Sequence, residues 1–121
     1  MAATVLVVDD ALFMRSLIRD ILAATGRYEV IGEASTGREA IRKYEEMRPE
    51  IVTMDIVMPE MDGLEAIRKI IAKDPRARIV VCSALGQEAL VIESISAGAR
   101  DFVVKPITPE KLLRVFDKLA S

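Results

Sequence analysis

Short apolar runs alternate along the chain with longer stretches whose apolar residues recur at helical spacing. TVLVV (4–8), IVTM (51–54), IVVC (79–82) and FVV (102–104) are continuous runs, the pattern of strands buried on both faces of a sheet. YEVIGEA (28–34) instead alternates polar and apolar residues, which predicts an edge strand covered on one face. Between the runs, Phe13, Met14, Leu17, Ile18, Ile21 and Leu22 form a helical stripe. Ala40, Ile41, Tyr44 and Met47 form a second, and Leu64, Ile67, Ile70 and Ile71 a third. Leu112, Val115, Phe116 and Leu119 form the last. Thr36 with Glu39 and Asp62 with Glu65 have the form of capping boxes, and Thr108 before Pro109 that of an N-cap with a first-turn proline.

The stretch 86–97, GQEALVIESISA, is also helical in period, but Leu90, Val91, Ile92 and Ile95 wrap too widely for one buried face. Strand and helix patterns thus alternate five times. This predicts an α/β domain with a parallel sheet and helices on both faces.

Composition narrows the choice. A chain of 121 residues suits one domain, 1–121, and shows no linker or low-complexity segment. The net charge of −2 comes from 17 basic and 19 acidic residues that are interspersed, so no basic block points to nucleic acid. The single cysteine, Cys82, excludes an intramolecular disulfide and points to the cytoplasm; it reads as a small core residue rather than a redox centre. The N-terminal apolar run is halted by two acids and lacks a basic flank, which predicts neither a signal peptide nor a membrane span. Histidine is absent, so histidine triads, histidine metal ligands and phosphohistidine carriers are excluded.

In open α/β sheets ligands sit beyond the carboxyl ends of the strands. Those ends carry Asp9 and Asp10 on the first strand, Asp55 on the third, Ser83 on the fourth and Lys105 on the fifth. Three carboxylates on one rim repel one another unless a cation offsets them. Lys105 is one such cation and a hard divalent metal, Mg2+, is the other. A carboxylate placed there can attack phosphorus and form an aspartyl-phosphate, with catalysis coming from charge neutralisation and fixed geometry.

The set VDD (8–10), MDIVMPEMDG (54–63), SA (83–84) and KP (105–106) resembles the receiver domain of bacterial two-component response regulators over essentially the whole chain. The resemblance implies a doubly wound, flavodoxin-like (βα)5 fold with strand order 2-1-3-4-5. It implies Asp55 as phosphoacceptor, with Asp9, Asp10, Asp55 and the Val57 backbone carbonyl holding Mg2+, for which Mn2+ substitutes. Lys105 is then the phosphate-binding lysine, with a cis bond to Pro106, while Ser83 and Phe102 form the switch pair. Within the family, DDALFMR and VCSALGQEALVIESISAGARDFVVKP are most similar to stand-alone chemotaxis receivers. The implied partners are a chemotaxis-type histidine kinase, the flagellar motor switch protein and a dedicated phosphatase. The expected molecule is a monomeric, cytoplasmic signalling protein without nucleic-acid or membrane partners. It is not an enzyme in the usual sense, since it catalyses only its own phosphotransfer and a slow self-dephosphorylation.

Blander readings stand beside these. Asp9 or Ser83 alone reads as a helix cap, Lys105 alone as a solvated lysine, and Phe102 equally well as a core aromatic. Met54, Met58 and Met61 read as packing. A haloacid-dehalogenase-type phosphatase needs a second acid where Val57 stands, and a nucleotide-binding module needs a glycine-rich loop that VVDDALFM lacks. A pseudo-receiver would normally lack one of the acids or the lysine. A receiver of a non-chemotaxis phosphorelay, or one excised from a longer DNA-binding regulator, is the alternative.

Overall fold

The structure is a computed structural model that describes residues 2–58 and 61–120; Pro59 and Glu60 of the MDIVMPEMDG motif lie outside the described residues. Five strands, β1 (Ala3–Val8), β2 (Tyr28–Ala34), β3 (Ile51–Asp55), β4 (Ile79–Ser83) and β5 (Asp101–Val104), alternate with five helices. These are α1 (Leu12–Ala23), α2 (Gly37–Met47), α3 (Gly63–Lys73), α4 (Glu88–Ser96) and α5 (Pro109–Ala120). All pairings are parallel and the order is β2-β1-β3-β4-β5.

Two cores lie on opposite faces of the sheet. Val5, Val7, Ile51 and Val80 pack with Ile18, Leu22, Leu112 and Phe116 of α1 and α5. Leu6, Val52, Met54 and Val81 pack with Ala40, Tyr44, Ile67 and Ile70 of α2 and α3, and Leu90 and Val91 of α4 join them. The period of two along a strand and 3.6 along a helix generates this division without further instruction. The predicted caps also form. Thr36 Oγ1 accepts the Glu39 N–H at 3.1 Å, Asp62 accepts the Glu65 N–H at 2.9 Å, and Thr108 Oγ1 accepts the Lys111 N–H at 3.3 Å.

Three expectations need correction. The alternation in β2 does not place one face inward throughout. Val5 pairs with Val30 but Leu6 with Gly32, so Ile31 is a bulge. One extra residue flips the strand's facing. Tyr28 and Val30 therefore join the α1–α5 core, whereas Ala34 joins the α2–α3 core. Second, FVV is not buried on both faces, because β5 is an edge strand and Phe102 is 42% exposed. Third, Phe13 stands 75% exposed rather than buried in the α1 stripe.

Candidate functional site

The register brings the strand ends together. Val8 pairs with Met54, Asp55 with Cys82, and Ser83 with Val104, so Asp9, Asp55, Ser83 and Lys105 emerge at one level. Carboxylate oxygens of Asp9, Asp10 and Asp55 lie within 4.8 Å of one another. Asp9 and Asp55 are buried and Asp10 is exposed. Lys105 Nζ lies 3.5 Å from Asp9 Oδ2 and 3.6 Å from Asp55 Oδ1. One ammonium thus faces two buried carboxylates.

The electrostatics record the imbalance. Burial is the largest influence on Asp55, and the Asp9 charge adds to it. Lys105 and the N–H of Val57, which donates to the carboxylate, offset only part, leaving its pKa pushed from 3.8 up to about 6. Burial alone would lower the pKa of Lys105, but Asp55 and Asp9 outweigh it and hold the value above the usual one. The donor set is all oxygen, which suits a hard cation that keeps some of its waters, such as Mg2+. Val57 stands two positions after Asp55, so the second acid that the phosphatase pattern needs there is missing.

The blander roles do not describe these residues. Asp9 Oδ1 accepts the Ala11 N–H at 2.9 Å, but the N-cap of α1 is Ala11 itself, with no side-chain cap. Ser83 is the last residue of β4, four positions before the Gln87 N-cap of α4. The Lys105–Pro106 bond is cis, as the resemblance implies. The Lys105 N–H donates to the Ser83 carbonyl at 2.6 Å, tying the two loops. Phe102 is exposed and is not a core aromatic. Cys82 is buried, and burial pushes its thiol up to about 12, with Lys105 lowering and the two acids raising it, so it is inert.

A family profile described as "Response regulator receiver domain" matches residues 5–117. The chain belongs to that family. The receiver is 55% identical over 121 residues to the chemotaxis protein CheY of Thermotoga maritima, with 100% of both chains covered. It is 51% identical over 118 residues to the chemotaxis protein CheY of Bacillus subtilis, covering 98% of each. A chain in the crystal structure of the CheX-CheY-BeF3-Mg2+ complex from Borrelia burgdorferi superposes with a TM-score of 0.92 at 36% identity, covering 98% of this chain and 90% of that one. The receiver is thus closely related to CheY, which implies a phosphoacceptor response regulator. No helix among its described residues is long and apolar enough to cross a membrane.

Several residues of the receiver's site escaped sequence reasoning. Arg15 donates from Nη1 to the Asp9 carbonyl at 2.7 Å and from Nε to Glu33 at 2.9 Å. Arg19 binds the other Glu33 oxygen at 2.6 Å. This arginine–glutamate group braces the loop that carries two of the acids. Its only sequence trace is the i, i+4 spacing of the arginines, which does not reveal Glu33 as the partner. The surplus apolar surface of α4 is also redistributed. Leu90 and Val91 pack partly into the core, while Ile92 and Ile95 are exposed. Ser83, Leu85, Val91, Ile92 and Phe102 line a cavity of about 220 Å3 between α4 and β5.

Proposed function

We propose that residues 1–121 act as one receiver domain in which Asp55 accepts a phosphoryl group from the phosphohistidine of a partner kinase. The observation that carries this reading is the Asp9–Asp10–Asp55 cluster facing the single ammonium of Lys105. A carboxylate oxygen of Asp55 attacks phosphorus as the donor's P–N bond breaks. The electron pair of that bond stays with the ring nitrogen, which departs as neutral imidazole when its other nitrogen carries a proton. Lys105 pairs with the transferred oxygens, and the Ser83 hydroxyl donates to them. Asp9, Asp10 and Asp55, with the backbone carbonyl of Val57, would hold Mg2+ or Mn2+, which supplies positive charge against the phosphoryl oxygens. Hydrolysis returns the carboxylate and releases inorganic phosphate.

The new charge at Asp55 biases a two-state equilibrium. Ser83 moves toward the phosphoryl group, and Phe102 leaves its exposed position to fill the space behind it. The α4–β5–α5 face, with Ile92 and Ile95 already exposed, then receives the output partner. By similarity to CheY that partner is the flagellar motor switch, the donor a chemotaxis histidine kinase, and the reset a dedicated phosphatase.

The test uses acetyl phosphate and intact-mass spectrometry. Wild type should gain the mass of one phosphoryl group in Mg2+, and neither Asp55→Asn nor wild type in chelator should. Equal labelling of wild type and Asp55→Asn overturns the assignment.

A further inference from the structure

On the sheet face covered by α2, α3 and α4, the helices α2 and α3 leave an open groove of about 570 Å3 that the phosphotransfer chemistry does not use. Its floor is apolar, formed by Ile41, Met61 and Ala72. Its rims are basic. Arg38 and Arg42 stand on α2, Lys69 and Lys73 on α3, and Glu45 is the one acid among the described lining residues. Four cations against one acid among these residues is a strong local excess in a chain whose net charge is −2. The volume lies within the range of ligand-binding clefts.

The rim cations are not equally engaged. Lys73 pairs with Glu45 across the groove and closes one end. Arg42 is drawn to Glu39 and Glu46 on its own helix, at 3.8 and 3.4 Å. Arg38 and Lys69 have no carboxylate partner among the described residues. Lys69 stands one helical turn above Lys73, and Arg38 two turns above Glu45. The α2 rim therefore carries its cations four residues apart and runs about two turns to Glu45, or roughly 10 Å, while the α3 rim carries Lys69 and Lys73 one turn apart, or roughly 6 Å.

We propose that this groove docks an acidic amphipathic helix of a partner protein. Two apolar side chains at i and i+4 of such a helix reach the floor, and flanking carboxylates meet Arg38 and Lys69. The apolar floor separates this occupant from nucleic acid, whose phosphates need only the rims. The site lies apart from the α4–β5–α5 face, so it offers a contact that does not compete with the phosphorylation-dependent one.

The probe is a fluorescein-labelled, alanine-based helical peptide with Leu at two positions four apart and Glu on both flanks, followed by fluorescence anisotropy. Saturable binding is expected to wild type, weakened at least about tenfold by Arg38→Glu with Lys69→Glu, and similarly by Leu→Ser in the peptide. Arg100→Glu with Arg114→Glu makes the same change in net charge elsewhere and should leave binding unchanged. Amide chemical shifts should move on α2 and α3. The proposal is overturned by no saturation up to about 1 mM, by equal loss in the control pair, or by shifts confined to α4 and β5. It is overturned as well if a single-stranded oligonucleotide or anionic vesicles bind wild type more tightly than the peptide and displace it.

Discussion

Gly63 lies so close to Asp55 that a Cβ built on it would fall 2.0 Å from the Asp55 carbonyl oxygen and 2.8 Å from Ile56 Cα. The Gly63 N–H also donates to the Ile56 carbonyl at 2.8 Å. The first residue of α3 is therefore seated against the backbone that carries the phosphoacceptor, and only hydrogen fits between them.

Gly63→Ala forces that backbone to move, because neither contact is the flexible end of a side chain. A loss of about 1–3 kcal/mol in urea unfolding is expected, together with slower labelling of Asp55 by acetyl phosphate. Gly26→Ala is the control. It has φ +69° and nothing within 4 Å and lies in the α1–β2 turn, so it strains the local backbone by about 1–2 kcal/mol without touching the site. Equal labelling rates for both variants contradict the packing argument.

Asp55 destabilises the metal-free protein at neutral pH. Its pKa rises from 3.8 to about 6 on folding, so the folded state holds the proton more tightly than the unfolded one. The stability this provides is complete below pH 4 and is lost as pH climbs through 6. The shift of roughly two units corresponds to about 3 kcal/mol. In chelator, Asp55→Asn should be more stable than wild type by up to that amount above pH 6, and the gain should vanish near pH 4. Urea melts across pH measure it. A pH-independent difference would show that the carboxylate charge is not its source. Added Mg2+ should narrow the gap by stabilising wild type.

Val57 and Leu85 are both exposed, and each lies two positions beyond a proposed site residue, Asp55 and Ser83. Neither side chain can hydrogen-bond to and orient an attacking water. Losing about 1.4 kcal/mol of such positioning slows a step roughly tenfold. Val57→Asn and Leu85→Glu should therefore speed phosphate release from the phosphoprotein, and the double mutant should be non-additive because both groups act on one water. Unchanged release in all three variants would place control of the lifetime elsewhere.

Thr53 is fully buried in β3, and its Oγ1 has no hydrogen-bond partner among the described residues. It points into the α1–α5 core, between Val7 and Val80 in register. Thr53→Val keeps the shape and removes an unpaired buried hydroxyl, so stability should rise by about 1 kcal/mol. Chemical denaturation reads this directly, and a decrease would reveal a partner for the hydroxyl.

The sequence by itself determined the five βα units and the residues that the strand ends deliver. Both follow from local rules: apolar period sets element type, and parallel strands present their carboxyl ends on one side. Asp9, Asp10, Asp55, Ser83 and Lys105 needed only their position at a strand end to be found, and the strength of the receiver motifs made their grouping legible. The tertiary structure decided what depends on register and on contacts between distant elements. A bulge at Ile31 sends Tyr28 and Ala34 to opposite faces, though they share one phase of the alternation. Glu33 joins Arg15 and Arg19 only because β2 runs beside β1, and Gly63 meets Asp55 only through the path of the intervening loop. Phe102 is exposed because α4 leaves the adjoining face of β5 partly uncovered. Local pattern specifies what each segment becomes, whereas these pairings arise from packing between segments whose spacing along the chain carries no signal of it.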